Sequence, residues 1–193
     1  MTRNNDHAAH PTVKLDLTVD QYRFRSVREE IDYLSHKAGV ESISLHINAL
    51  SDHAPTACDM HEYLADLRGH SCIPLRAVAS GRCCASAVLV LLAFDFEERR
   101  CTDGAIFALR QPSFRQDDAS AYESDDAVNR VLRQAQSTAD RFYRLFGQPL
   151  GKSQNEVMRL FGHDDRNGIL TPQDALRHRI VSEVISSTQL LAA

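Results

Sequence analysis

The chain has 193 residues, of which 43% are hydrophobic and 25% charged, and its formal net charge is −4. This balance is typical of a globular domain with room for one substantial core, and the slight acidity gives no electrostatic basis for binding nucleic acid or an anionic membrane surface. The longest apolar run, residues 85–94, is far shorter than the roughly 20 residues that cross a bilayer. We therefore expect neither nucleic acid nor a membrane as a partner.

Residues 1–11 are polar and lack the apolar core of a signal peptide, so we predict a flexible N-terminus and a cytoplasmic location. Residues 12–193 are predicted to form a single domain. In its first part, apolar residues at period two indicate strands and apolar residues at helical spacing indicate helices. In chain order these are a strand at 13–19, a helix at 20–39, a strand ending at Asn48, a helix ending at Gly69 and a strand at 73–79.

The second part begins with a turn at Gly81, followed by an apolar helix at 85–94 and a strand at 105–109. A long amphipathic helix is predicted at about 127–146, because its apolar residues recur three and four positions apart. Two short helices flank the acidic turn at 163–167. Strands that alternate with helices predict an α/β fold with right-handed βαβ crossovers and a mainly parallel sheet.

Neither the cysteines nor the histidines show the spacing of a metal site, so no metal and no cofactor is predicted. An odd number of cysteines without a secretion signal also argues against a disulfide framework, and buried reduced thiols are expected. The histidines are expected in surface or loop positions. The residues concerned are Cys58, Cys72, Cys83, Cys84 and Cys101, and His46, His53, His61 and His70.

The segment 81–112, GRCCASAVLVLLAFDFEERRCTDGAIFALRQP, resembles the catalytic segment of the Clp protease proteolytic subunit (ClpP, serine peptidase family S14, Clp/crotonase fold). In that family a Gly-x-Ala-Ala-Ser turn presents the nucleophilic serine, and a strand ending in His-Gln-Pro supplies the general base. Gly81, Arg99 and Gln111-Pro112 match this pattern without a gap. ISLHIN at 43–48 and DRNGILTPQDA at 165–175 are similar to two further family stretches.

The resemblance implies a ClpP/crotonase-like spiral of βαβ units with a mainly parallel sheet, in which the helix at about 127–146 is the protruding handle helix. It also implies assembly into rings. An acidic–arginine pair bridges opposing rings in the family, and its matches here are Asp165 and Arg166.

The same alignment places the catalytic positions on residues that cannot perform serine hydrolysis. The nucleophile position falls on Ala85, which has no heteroatom, and the general-base position on Arg110, which stays protonated. The orienting aspartate falls on Asn167, which lacks the required charge. In the loop that aims a backbone N–H at the oxyanion, Ser51 and Asp52 stand in place of glycines. The resemblance therefore implies a degenerate pseudoprotease, similar to the inactive ClpR-type subunits.

Two alternatives remain open on the sequence. The chain could be an active ClpP-like serine peptidase that uses Ser86, one residue past the expected position, although the ordinary interpretation of Ser86 is a small buried helix residue. Ser86, or Cys84 in its place, would still need a base such as His53 or His163. The third interpretation is a scaffold that binds a small molecule or acyl group in the former cleft, with Arg110 clamping an anion.

The expected partners are other copies of this chain in a ring, or an active ClpP paralogue in a mixed ring. ClpP binds its AAA+ unfoldase through an apolar pocket, and the corresponding positions of this chain are polar. They are Ser44, His46, His61 and Asp66. Because desolvation of polar groups is not compensated by an apolar loop, we do not expect a standard AAA+ unfoldase to dock here.

Overall fold

The computed structural model describes residues 12–17, 21–37, 39–48, 53–71, 73–111, 125–161 and 168–188. Within these ranges the elements are β1 (Thr12–Leu17), α1 (Gln21–His36), β2 (Ser42–Ile47), α2 (Ala54–His70), β3 (Leu75–Ala79), β4 (Arg82–Cys84), α3 (Ala85–Leu91), β5 (Arg99–Thr102), β6 (Ile106–Leu109), α4 (Asp125–Gly147), α5 (Gln154–Leu160), β7 (Gly168–Leu170), α6 (Pro172–Arg177) and β8 (Glu183–Ile185). Short 3-10 turns lie at Phe96–Glu98 and Gln148–Leu150.

The strands form two sheets. The larger one has five strands in the order β1-β2-β3-β5-β8, and every neighbouring pair in it is parallel. The smaller one has the order β4-β6-β7, with β4 parallel and β7 antiparallel to β6. The predicted α/β architecture with a mainly parallel sheet is thus confirmed.

The core is centred on α3. All seven residues of this helix are buried, which is why its sequence is apolar on every side apart from one serine. It contacts α2, α4 and the strands β3, β4 and β6. Beside it, β2 buries Ile43, Leu45 and Ile47 completely, as expected for an inner strand of a parallel sheet.

The helix α4 has two different halves. Its C-terminal half buries Phe142 and Phe146 completely, and Arg141 ties it to α2 by donating to Asp59 Oδ1 at 2.8 Å and to Glu62 Oε2 at 2.6 Å. Its N-terminal half leaves the apolar side chain of Leu132 56% exposed. No helix in the described part of the chain is long and apolar enough to cross a membrane.

The prediction differed from the structure mainly at short elements. It missed β4, β5, β7 and β8, which have only three or four residues each, too few to establish a period of two. The predicted strand at 105–109 is therefore the sixth strand and not the fourth. The helix α3 ends at Leu91 instead of residue 94, and α2 continues one residue past Gly69.

The four described cysteines are buried and none is in a disulfide, which confirms the expectation of reduced core thiols for these residues. They are Cys58, Cys83, Cys84 and Cys101, and Cys72 lies outside the described residues. Burial raises the pKa of Cys58 to about 12 and the pKa of Cys101 to about 11. These thiols are therefore protonated at neutral pH.

Candidate functional site

The candidate site begins at the turn that connects β3 to β4. Gly81 adopts φ = +58°, in the left-handed region that favours glycine, and a Cβ on it would lie 3.0 Å from Asn48 Oδ1. After this turn, β4 runs directly into α3 without a loop. Cys84 is still extended, with φ −74° and ψ 174°, and Ala85 is the first helical residue. The sequence thus places Ala85 at a sharp strand-to-helix junction.

The register of the small sheet brings the ends of its strands together. Cys84 pairs with Ala108 across β4 and β6, so Ala85 and Arg110 follow at neighbouring strand ends. On the other side of β6, Leu109 pairs with Gly168 of β7. The backbone N–H of Arg110 donates to the Ala108 carbonyl at 3.0 Å, which turns the chain out of β6.

The side chains at this junction provide no exposed nucleophile. Ala85 and Ser86 are both fully buried, and Cys84 is 8% exposed. Arg110 is exposed and carries a permanent cation. The remaining positions proposed from the sequence lie outside the described residues: Ser51, Asp52, His163, Asp165, Arg166 and Asn167.

The outward face of the small sheet carries exposed apolar side chains, with an arginine in β4 and another just after β6. Because side chains alternate along a strand, the residues on either side of the buried Phe107 share this face. Ile106 is 47% exposed and Ile169 is 55% exposed. Arg82 is paired with Ile106 at one end of the face, and Arg110 follows β6 after the turn that ends this strand. Within the described part of the chain, the side chains of this face include neither an acid nor a base that could transfer a proton at neutral pH.

Three of the four histidines His46, His53, His61 and His70 lie on or beside α2, and the fourth lies in β2. His53 precedes α2 and caps it, with Nδ1 2.8 Å from Thr56 Oγ1. His46 is half-buried in β2, and His70 is exposed at the end of α2. The surface position expected for His61 was wrong, because His61 is only 6% exposed. Within the described ranges, no three His, Cys, Asp or Glu residues are grouped to hold a metal ion.

The buried His61 belongs to a cluster that the sequence did not reveal. Its Nδ1 lies 2.8 Å from the Leu89 carbonyl, which can only accept, so Nδ1 carries the proton. Arg68 donates to the Ala93 carbonyl at 2.6 Å, and Arg99 Nε donates to the Phe94 carbonyl at 2.7 Å. We call His61, Arg68 and Arg99 the α3-end cluster, because all three bind carbonyls at or just beyond the C-terminal end of α3.

Acid should weaken the fold through His61. Burial lowers its pKa below the ordinary 6.5, so the unfolded chain takes up a proton that the folded chain excludes as the pH falls through 6.5. The contribution of neutral His61 to the free energy of unfolding is thus fully present above pH 6.5. As the pH falls from 6.5 toward the lowered pKa of folded His61, this contribution decreases by at most about 1.4 kcal/mol per pH unit. Urea unfolding of wild type and His61→Asn at several pH values measures this dependence.

Asparagine keeps an N–H donor for the Leu89 carbonyl but cannot titrate, so the pH dependence should become flatter in His61→Asn. The matched control is His70→Asn, because His70 is exposed and its Nδ1 contacts a carbonyl of its own helix. An equal flattening in both variants would contradict the assignment to His61.

The strand order and the alternation of parallel strands with helices fit an α/β fold of the ClpP/crotonase-like type. No protein-family model and no curated protein sequence matches the chain. Among solved structures, it is similar to ClpP1 from Listeria monocytogenes, with a TM-score of 0.68 and 19% identity over 93% of this chain and 94% of that chain. It is also similar to a point mutant of that ClpP1, with a TM-score of 0.66 and 19% identity over 92% of both chains. The chain therefore has a ClpP-like fold, which confirms the fold that the sequence resemblance implied.

Proposed function

We propose that this chain is a ClpP-like protein without serine peptidase activity, which acts as a structural or regulatory subunit of an oligomeric ring. The ring consists of this chain alone or of this chain with an active ClpP paralogue. The observation that carries the proposal is Ala85. It is the first residue of α3, where the sequence resemblance puts the nucleophile, and its methyl group is fully buried.

The neighbouring residues do not replace the missing groups. Ser86 follows Ala85 in the same helix, about 100° further around its axis, and is fully buried. A substrate carbonyl would reach its hydroxyl only if α3 left the core. Arg110, at the general-base position, cannot accept a proton at physiological pH. Of the two alternative bases named from the sequence, His163 lies outside the described residues and His53 is engaged as the cap of α2.

Assembly into a ring is supported by the exposed apolar side chain of Leu132 on α4, which a second subunit could cover. Asp165 and Arg166 remain our candidates for contacts between rings. Docking of a standard AAA+ unfoldase is not part of the proposal. Ser44 and His61 are polar and buried and Asp66 is an exposed carboxylate, so these positions do not offer an apolar pocket.

The proposal is tested with a fluorophosphonate probe and a fluorogenic peptide. We expect wild type and Ser86→Ala to be equally unlabelled and equally inactive, because neither presents an activated hydroxyl. An active ClpP treated in parallel shows that the reagents work. On the same preparation, mass measurement in solution should give a multiple of the 21.6 kDa chain.

Labelling or peptide hydrolysis that disappears in Ser86→Ala would show that the chain is an active peptidase. A monomer at micromolar concentration, alone and after mixing with an active ClpP, would rule out the role as a ring subunit. The two results are independent, so the loss of activity and the assembly are tested separately.

A further inference from the structure

A cavity of about 610 Å³ lies beside the C-terminal end of α3. Its wall is formed by the second half of α2, the turn after α3, Arg99 of β5 and the 3-10 turn at Gln148–Leu150. All three residues of the α3-end cluster line it. The volume lies within the range of small-molecule sites, roughly 300–1,000 Å³. It is therefore a candidate binding site on a part of the molecule separate from the junction at Ala85.

The structural role of the cluster uses only part of its hydrogen-bonding capacity. The carbonyls at the C-terminal end of a helix carry partial negative charge. This charge accounts for the one hydrogen bond that each of His61, Arg68 and Arg99 makes to a carbonyl there. Arg99 has five N–H donors in total. It is only 4% exposed, and its Nη1 makes no hydrogen bond within the described part of the chain.

Arg99 is also a buried charge that no direct ion pair neutralises among the described residues, although the carboxylates of Asp95 and Glu97 attract it from further away. Burial, together with the nearby charge of Arg68, lowers the pKa of Arg99 to about 10, so it remains a cation at neutral pH. An uncompensated buried charge is costly, and proteins normally pair it with a counter-charge. The cavity is where such a counter-charge can be supplied from solution.

The acidic side chains around the cavity do not form an ion pair with Arg99. Glu62 also lines the cavity, but it is held by Arg141, with Nη2 2.6 Å from Oε2. Asp66 is about four-fifths exposed and lies on the rim. Asp95 lies 3.4 Å from Arg68 Nη1 and is also mostly exposed. The most buried charge of the cavity is therefore the Arg99 cation, whereas the carboxylates of Asp66 and Asp95 are mostly exposed.

We propose that this cavity binds a small molecule through an oxyanion group, either a phosphate or sulfate group or a carboxylate, held by Arg99 and Arg68. A guanidinium presents several donors in a rigid fork that matches the oxygens of such groups. The carboxylates on the rim repel long polyanions, so the site selects small anions. This binding does not depend on the presence or absence of peptidase activity.

The experiment is a calorimetric titration of the full chain with inorganic sulfate at pH 7.5, with sodium chloride adjusted to keep the ionic strength constant. We expect saturable binding of one sulfate per chain. Arg68→Gln removes one of the two cations and should weaken the affinity at least tenfold. The matched control Arg25→Gln, which removes an exposed arginine of α1, should bind sulfate as wild type does.

Titrations with inorganic phosphate and with acetate identify the preferred anion: tighter binding of phosphate indicates a tetrahedral group, and tighter binding of acetate a carboxylate. Arg99→Lys keeps the charge but loses the fork, and should also bind at least tenfold more weakly. If Arg99→Lys does not fold, the sulfate affinity of Arg68→Gln, compared with that of Arg25→Gln, is the test of the proposal. The proposal is overturned if wild type shows no saturable binding of any of the three anions, or if Arg68→Gln binds as tightly as Arg25→Gln.

Discussion

Replacing Phe142 with alanine is expected to lower the free energy of unfolding by about 3–5 kcal/mol, the usual cost of removing a buried phenylalanine. Phe142 is fully buried near the end of α4. Its ring centre lies 5.9 Å from that of Phe146 and 6.1 Å from that of Phe161, the residue that follows α5. The cavity left by the substitution would therefore separate α4 from α5. The loss is a large fraction of the roughly 5–15 kcal/mol that stabilises a domain.

The measurement is urea unfolding at a fixed protein concentration, because assembly would make the midpoint depend on concentration. The matched control is Gln134→Ala, an exposed position of the same helix, where we expect a change within about 0.5 kcal/mol. A loss below about 1 kcal/mol in Phe142→Ala would mean that the aromatic packing is not part of the stable core.

Replacing Gly168 with alanine is expected to destabilise the fold by about 3 kcal/mol, at the upper end of the usual cost of overpacking. A Cβ at this position would lie 2.5 Å from the Leu160 carbonyl oxygen and 3.0 Å from the Leu109 carbonyl oxygen. Both are backbone atoms and cannot move aside by a rotamer change. The strand β7 would have to move away from β6, next to the end of the strand that leads to Arg110.

Gly69→Ala provides a control with the opposite sign. Gly69 lies inside α2, and no atom would be within 4 Å of an added Cβ. Alanine there should stabilise the fold by about 0.5–1 kcal/mol, because it restricts the unfolded chain and favours the helix. Thermal or urea unfolding of both variants gives the comparison. Equal changes in the two variants would show that the close backbone approach at Gly168 is not a constraint.

The sequence was a good guide to the long elements. The helix predicted at about 127–146 is observed as α4, two residues earlier at its start and one later at its end, because many periods of an apolar stripe define it. The short strands were missed because three or four residues are too few to establish a period. In β5, Arg99 and Arg100 look like solvent-exposed residues, yet Arg99 is one of the most buried polar side chains of the described residues.

The candidate site was predictable where it depends on neighbours in the chain. The turn at Gly81 followed by α3 was predicted from the sequence, and so was the place of Ala85 at the start of the helix, whereas β4 between them was missed. The α3-end cluster could not be predicted, because His61, Arg68 and Arg99 come from separate elements and only the packing of α2 on α3 brings them together. The loss of activity, Asn167 at the third catalytic position and the ring contacts of Asp165 and Arg166 remain predictions.

The buried thiols have a practical consequence for handling the protein. Alkylating reagents and oxidants attack thiolates that they can reach, and Cys58, Cys83, Cys84 and Cys101 are all buried. Iodoacetamide can modify them only while the core is transiently open. The rate at which each cysteine-containing peptide gains mass therefore reports how often that part of the interior opens, without any engineered label.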